Sequence, residues 1–137
     1  MKQYTAHCID GGIFCRDVKV TVDERLERMP SAQAGIINHV DTIDADGRYK
    51  RVPGKTLISY ETVAATLTAD GILTIDCLCS VTTRKHVAAF IKQVCPAYGY
   101  YDAKAAFNGG YMIDVTTGAH IDNKTGEILN PDAVPAA

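Results

Sequence analysis

Residues 61–79, ETVAATLTADGILTIDCLC, decide the fold class of this chain. On both sides of the dipeptide Asp70-Gly71, apolar residues occupy every second position. These positions are Val63, Ala65 and Leu67 before the dipeptide, and Leu73, Ile75, Cys77 and Cys79 after it. Such alternation is typical of strands with one buried face, and Asp-Gly supplies the positive φ angles of a tight hairpin turn. The stretch therefore predicts a β-hairpin.

The stretch that follows, CSVTTRKHVAAFIKQVCP at residues 79–96, predicts an amphipathic helix. Its apolar residues have the i, i+3, i+4, i+7 spacing of a helix packed on one side, and Pro96 ends the run. These residues are Val87, Phe90, Ile91 and Val94, whereas Lys92 and Gln93 are expected to face water. Threonine is a preferred N-cap, so the helix is predicted at about 83–95, with Thr82 or Thr83 as its cap.

Other segments of the chain repeat the hairpin pattern. KTLISY, at residues 55–60, reads as a strand, and INHVDTIDADGRYKRV, at residues 37–52, reads as a hairpin that turns at Asp46-Gly47. DVTTGAHI (114–121) and DNKTGEIL (122–129) share the pattern D-x-x-T-G-x-x-[I/L]. In each copy the aspartate opens a turn and the left-handed glycine closes it. The two copies therefore predict a short meander.

Together these segments predict an α+β fold, in which one amphipathic helix packs on one face of an antiparallel sheet of hairpins. A length of 137 residues fits a single domain. We expect that domain to span residues 1–130 and residues 131–137, which contain two prolines, to form a loose tail.

Composition excludes several classes of function. The chain carries 14 Lys and Arg against 16 Asp and Glu, a net charge of −2 that argues against binding to duplex DNA. No apolar run has the length of a signal peptide or a membrane span. We therefore expect a cytoplasmic protein that does not engage a membrane, and the sequence indicates no cofactor.

The five cysteines are odd in number and irregularly spaced, which favours reduced thiols over a disulfide framework. A structural zinc site would need two close pairs of ligands. Only Cys77-x-Cys79 is close, although His7 and Cys8 are a possible second pair. We predict no metal site and interpret the cysteines as small buried side chains.

The start of the predicted helix is the first candidate site. Two hydroxyls, two cations and a histidine crowd it, although the helix dipole disfavours cations there. A helix N-terminus with free N–H groups suits a phosphate or an acidic group of a partner. The candidate anion- or partner-binding residues are Ser80, Thr82, Thr83, Arg84, Lys85 and His86. The alternative is a capped helix with two solvated cations and a histidine at the edge of its apolar face.

The second candidate site is the aromatic group Tyr98, Tyr100 and Tyr101. Tyrosines are favoured in protein interfaces, and they also stack single-stranded bases. Alternatively, these rings close the open end of the sheet.

Two segments resemble a family of small uncharacterised domains carried by bacterial phages and plasmids. LISYETVA, at residues 57–64, and SVTTRKHVAAF, at residues 80–90, are similar to its pattern S-Y-x-T-x-V-A, a hairpin, then S-x-T-T-x-x-H-x-x-x-F. The matching residues are Ser59, Tyr60, Thr62, Ala64, Gly71, Ser80, Thr82, Thr83, His86 and Phe90. The position of Val63 departs from this spacing, which leaves the strand register open. The resemblance implies a mobile-element origin.

These observations lead to three hypotheses for function. The first is a non-catalytic accessory protein of a mobile element that binds a host protein or protein complex, for instance to inhibit a bacterial defence system. The second is a phosphate-, nucleotide- or single-stranded nucleic-acid-binding protein that uses Thr82 and Thr83. The third is a small enzyme with Cys79 or Ser80 as nucleophile and His86 as base, although no known catalytic motif assigns these residues.

Overall fold

The computed structural model of this molecule describes residues 22–27, 34–43, 46–60 and 62–134. The strands in these ranges are β1 (Glu24–Arg25), β2 (Ala34–Ile37), β3 (Val40–Ile43), β4 (Tyr49–Val52), β5 (Gly54–Ser59), β6 (Thr62–Thr68), β7 (Ile72–Ile75), β8 (Tyr111–Asp114) and β9 (His120–Asp122). The α-helices are α1 (Val81–Val94) and α2 (Tyr100–Gly109). The interpretations of His7, Cys8 and Cys15 fall outside the described residues.

A seven-stranded antiparallel sheet has the strand order β1-β2-β5-β6-β7-β8-β9, and β3 and β4 form a separate two-stranded sheet. Helix α1 packs against β5 and β6, helix α2 packs against β7 and β8, and the two helices contact each other. The predicted α+β fold with its sheet of hairpins is therefore confirmed, with a second helix beside the predicted one.

The central hairpin is confirmed as β6 and β7, with Leu67 opposite Leu73 and a left-handed Gly71 at the turn. The second strand ends at Ile75, so its predicted extension through Cys77 and Cys79 was wrong. A bulge in β6 explains this difference. The pairing shifts there by one residue, and the carbonyl of Ala64 accepts hydrogen bonds from the N–H groups of Asp76 and Cys77.

Helix α1 begins two residues before the predicted start. Its N-cap is Ser80, whose Oγ accepts a hydrogen bond from the N–H of Thr83 at 3.1 Å, so the assignment of the cap to Thr82 or Thr83 was wrong. Serine caps at least as well as threonine, and here Ser80 has the extended backbone conformation of an N-cap directly before the helix. The predicted stripe is confirmed at Val87, Phe90 and Ile91, which are buried.

Gln93 was expected to face water, but its side-chain amide makes two hydrogen bonds to the backbone near β1. Its Oε1 accepts a hydrogen bond from the N–H of Glu27 at 3.0 Å, and its Nε2 donates to the carbonyl of Arg25. This amide therefore links α1 to the edge of the sheet at β1. Lys92 is exposed, as predicted.

Helix α2 was missed in the sequence analysis, which placed the tyrosines that surround it on a loop. The N–H of Gly99 donates to Oδ2 of Asp102 at the start of the helix, and Gly110, with φ 68°, ends it. The residues that α2 buries are Ala103 and Ala106. Because alanine is small and common on any surface, this buried face gives a weak apolar pattern in the sequence.

The predicted meander is confirmed, because both copies of the repeat form the same turn. Oδ1 of Asp114 accepts the N–H of Thr116, and Oδ1 of Asp122 accepts the N–H groups of Lys124 and Thr125. The closing glycines, Gly118 and Gly126, have φ angles of 81° and 76°. Residues Pro131–Ala133 then form a 3-10 turn, and Val134 packs against the small cluster of Met112, Ala119 and Ile121.

The other predicted elements are also present. KTLISY forms most of β5, and the hairpin that turns near Asp46-Gly47 is formed by β3 and β4, which pair Val40 with Val52. The main core lies between the helices and the large sheet. Its largest buried side chains include Leu57, Leu73, Phe90, Ile91 and Ile113. The end of β5 and the start of α1 meet at one edge of this core.

Candidate functional site

Four side chains form a hydrogen-bonded group where the end of β5 meets the first two turns of α1. Oγ of Ser59 lies 2.8 Å from Nδ1 of His86 and 3.1 Å from Oγ1 of Thr83. Ser80 donates from its Oγ to Oγ1 of Thr83 at 2.9 Å. We call Ser59, Ser80, Thr83 and His86 the Ser59–His86 cluster. It joins a strand to a helix through side chains that are 27 residues apart in sequence.

The direction of these hydrogen bonds indicates the tautomer of His86. Because Ser80 donates to Thr83, the Thr83 hydroxyl has its own proton to give to Ser59, and Ser59 then has its proton to give to Nδ1 of His86. In this assignment Nδ1 accepts and Nε2 carries the proton. Burial lowers the pKa of His86, which favours the neutral ring that such a chain requires.

Three of the four members of the cluster are closed to solvent, whereas Ser80 is exposed. Ser59, Thr83 and His86 are 1%, 5% and 2% exposed. A hydroxyl 2.8 Å from an imidazole nitrogen has the spacing of a nucleophile and its base. However, the nucleophiles considered from the sequence were Cys79 and Ser80, and the structure places Ser59 at Nδ1 instead. Because Ser59 and His86 are both buried, the structure leaves a substrate no access to this pair.

Tyr60 follows Ser59 and has an unusual backbone conformation. Its φ of 60° is the one positive φ angle of a residue other than glycine in the described part of the chain. A bulky side chain in this region costs roughly 1–2 kcal/mol. The Tyr60 ring is half exposed, and its centroid lies 6.0 Å from that of the His86 ring. Strain of this kind clusters at binding sites, where the surrounding structure maintains it.

The remaining residues at the start of α1 point outward. Val81 is 64% exposed, and Arg84 and Lys85 are exposed one turn further along. Nε of Arg84 donates to the carbonyl of Leu78 at 3.0 Å, which holds its stem against the preceding segment. We call Tyr60, Ser80, Val81, Arg84 and Lys85 the α1 entry surface. No acidic residue occupies the first turn of α1, so the nearest helical charges are positive.

The structure brings together only part of the first predicted site. Ser80, Thr83 and His86 join the cluster, Arg84 and Lys85 are exposed beside it, and Thr82 is half-buried. Because the helix begins at Val81, the two cations follow the first turn instead of lying within it. The unfavourable dipole interaction inferred from the sequence is correspondingly smaller.

The three tyrosines of the predicted aromatic site do not share one environment. Tyr98 and Tyr100 are half-buried and pack against the main core, where burial raises the pKa of Tyr98. Tyr101 is 84% exposed on α2, and its ring centroid lies 6.2 Å from that of Tyr100. The structure therefore places two of these tyrosines at the edge of the core and one in solvent.

Sequence reasoning did not assign Ser59 and Tyr60 to a site, although both belong to the pattern that carries the family resemblance. Their role depends on a contact between β5 and α1 that no local periodicity reveals. The shared pattern was the available signal. Five of its members, Ser59, Tyr60, Ser80, Thr83 and His86, are close together here.

Within residues 22–27, 34–43, 46–60 and 62–134, no three His, Cys, Asp or Glu side chains are grouped closely enough to hold a metal ion. In the same part of the chain, no helix is long and apolar enough to cross a membrane. Of the cysteines that the structure describes, Cys95 is buried, and burial raises its pKa to about 11. Cys77 is half-buried and Cys79 is exposed, so the interpretation of the cysteines as buried side chains was wrong for these two.

Comparison with known proteins gives one match. The model of a family of unknown function, DUF8033, matches residues 25–109, which is more than half of the chain, and the chain therefore belongs to this family. No curated protein and no solved structure gives a significant match. The matched residues contain the whole Ser59–His86 cluster and the α1 entry surface, whereas the meander lies beyond them.

Proposed function

We propose that this member of the family is a non-catalytic binding protein, and that the α1 entry surface contacts an acidic patch on a partner protein. One observation carries the proposal. Ser59 and His86, which have the spacing of a nucleophile and its base, are buried and hydrogen-bonded to each other, whereas Tyr60 and Val81 beside them are exposed. The cluster thus supports a surface and does not itself face a substrate.

The chemistry of the surface suits a protein partner. Tyrosine and arginine are enriched at the energetically important positions of interfaces. Arg84 and Lys85 supply positive charge, which attracts acidic groups and weakens with salt. Val81 and the Tyr60 ring add apolar area that water covers in the free protein.

The phosphate- or nucleotide-binding alternative uses the same end of α1. Two hydroxyls at this end of the helix already have hydrogen-bond partners. Ser80 caps the helix, and Thr83 is buried between Ser80 and Ser59. A phosphate would have to displace these contacts. This favours a protein partner that binds the outer side chains and leaves the cluster in place.

A finer proposal concerns origin and setting. We propose that the protein is an accessory factor of a phage or plasmid that acts in the bacterial cytoplasm on a host protein or complex, for instance by inhibiting a defence system. The support is the resemblance carried by residues 57–64 and 80–90, together with a length of 137 residues. A compact protein of this size acts most readily by covering a surface of its partner.

The binding proposal is tested by capturing partners from bacterial lysate on the immobilised protein and then measuring affinity for the captured partner. The double variant Arg84→Ala and Lys85→Ala should bind about two- to thirtyfold more weakly at low salt, because each of the two exposed ion pairs contributes about 0.2–1 kcal/mol. This difference should shrink at high salt. The double variant should still melt cooperatively, with a modestly lower melting temperature because it loses the hydrogen bond from Arg84 to the Leu78 carbonyl.

The matched control is Lys104→Ala with Lys124→Ala, which removes the same charge from exposed positions on α2 and in the meander. This control should bind like the parent. Equal affinity of both double variants at both salt concentrations would show that the α1 entry surface is not the contact. Competition by inorganic phosphate alone would favour the phosphate-binding alternative.

A further inference from the structure

The segment between β7 and α1 contains two thiols in close contact. Sγ of Cys77 and Sγ of Cys79 lie 2.7 Å apart. Cys79 is exposed and Cys77 is half-buried. Neither belongs to the Ser59–His86 cluster, and the proposed binding function does not use them.

We propose that Cys77 and Cys79 are a dithiol site that low-molecular-weight disulfides, such as glutathione disulfide, oxidise reversibly to an intramolecular disulfide. Even in a fully extended chain, residues i and i+2 have Cα atoms at most about 6.6–7.2 Å apart. Disulfides accept Cα separations of about 4.4–6.8 Å, so the pair can close with a modest local movement. The exposed Cys79 is the thiol that an external disulfide reaches first.

The reaction balances with the disulfide as oxidant. The Cys79 thiolate attacks one sulfur of glutathione disulfide, forms a mixed disulfide and releases one glutathione thiolate. The Cys77 thiolate then attacks Sγ of Cys79, forms the Cys77–Cys79 bond and releases the second glutathione thiolate. The protons lost by the two cysteines are taken up by the two released thiolates. The protein is oxidised by two electrons, and the glutathione disulfide is reduced to two thiols.

The structure explains why this bond should reopen readily. The side chain between the two cysteines, Leu78, is 6% exposed and anchored in the core. The N–H of Cys77 donates a hydrogen bond to the carbonyl of Ala64 at the bulge, and the carbonyl of Leu78 accepts one from Nε of Arg84. Because these contacts hold the segment on both sides, they resist the local backbone movement that disulfide closure requires. Disulfides that are strained and exposed are the ones most easily reduced.

Closure should also alter the start of α1. The Leu78 carbonyl that accepts from Arg84 lies between the two cysteines, and Ser80, the N-cap, follows Cys79 directly. Movement of the backbone at 77–79 therefore changes two members of the α1 entry surface. This consequence depends on the geometry of the segment and not on the identity of a partner.

The test uses the native chain, reduced and then equilibrated with glutathione disulfide, quenched in acid, alkylated in denaturant and cleaved with trypsin. Lys55 and Arg84 bound a tryptic peptide, residues 56–84, whose only cysteines are Cys77 and Cys79. We expect this peptide to lose both alkylation sites, to become lighter by two hydrogen atoms and to carry no glutathione. Reduction should restore both sites. Amide NMR signals of Ser80 and Thr83 should shift on closure.

Two controls make the result specific. Cys77→Ser should leave a persistent glutathione adduct on Cys79, since no second thiol can displace it. Cys95, which is buried and has its pKa raised to about 11, should stay unmodified in the same sample. A parent protein that keeps both thiols free, keeps the adduct as Cys77→Ser does, or forms disulfide-linked dimers would overturn the proposal.

Discussion

At the scale of single residues, His86 is a buried ionisable group held by a hydrogen bond between two elements. Of the three histidines that the structure describes, it alone is buried, and its Nδ1 is occupied by the hydroxyl of Ser59. Because burial lowers its pKa below the usual 6.5, the unfolded chain takes up a proton before the folded one does. The contribution of His86 to stability is therefore present above about pH 6.5 and is lost as the pH falls through its folded pKa.

We expect the free energy of unfolding to decrease as the pH is lowered from about 7.5 to about 5, and His86→Gln to remove part of that decrease. Chemical denaturation across this range measures both. NMR titration of the His86 ring gives a check that does not rely on a variant. A ring that titrates at or above 6.5 would contradict the neutral, hydrogen-bonded assignment.

At Tyr60, one substitution should change stability and partner binding in opposite directions. Asparagine occupies the left-handed region more readily than tyrosine does, so Tyr60→Asn should raise the free energy of unfolding by up to about 1 kcal/mol. If the ring contacts a partner, the same variant should bind more weakly. Tyr101→Asn, which changes an exposed tyrosine within a helix, should give no gain in stability. A less stable Tyr60→Asn would show that packing of the ring outweighs the backbone strain.

At the scale of elements, the sequence predicted the features that short segments determine. Asp70-Gly71 and the two Thr-Gly turns fix their hairpins locally, and the stripe of Val87, Phe90 and Ile91 fixes α1. It did not predict α2, which buries only alanines, or the bulge at Ala64, which depends on pairing between strands. The candidate site was predicted only in part, for the same reason. Ser80 and Thr83 are local to the helix, whereas Ser59 reaches them only through the fold.

The corrected start of α1 leads to a direct test. Ser80→Ala should lower the free energy of unfolding by on the order of 1 kcal/mol, because it removes the side chain that caps the N–H of Thr83. Thr82→Ala, a hydroxyl deletion two residues later, should cost less, since the helix already includes that position. Urea denaturation of the two variants gives the comparison. A larger loss of unfolding free energy from Thr82→Ala than from Ser80→Ala would indicate that Thr82 is the N-cap, as expected from the sequence.

At the scale of the whole molecule, the structural unit is longer than the family match. The match ends at residue 109, but β8, which begins at Tyr111, pairs with β7 and places Ile113 opposite Leu73. Ile113 belongs to the main core, and the N–H of Val115 donates to the carbonyl of Gly71 at the central turn. The meander therefore completes the sheet on which α2 packs, although it lies outside the segment by which the family is recognised.

A chain that stops after Gly109 should consequently fail to fold cooperatively. It would lose Ile113, whose full burial is worth about 1.5–3 kcal/mol, together with the strand that covers β7. A total stability of about 5–15 kcal/mol leaves little margin for such losses. The uncovered β7 would also offer an edge for pairing between molecules. Removing only residues 131–137 is the matched control, because it spares every strand that the structure describes and, among the described residues, costs the 3-10 turn and the contact of Val134. Thermal melting and light scattering distinguish the two truncations. A monomeric, cooperatively melting chain of residues 1–109 would show that the family segment folds without the meander.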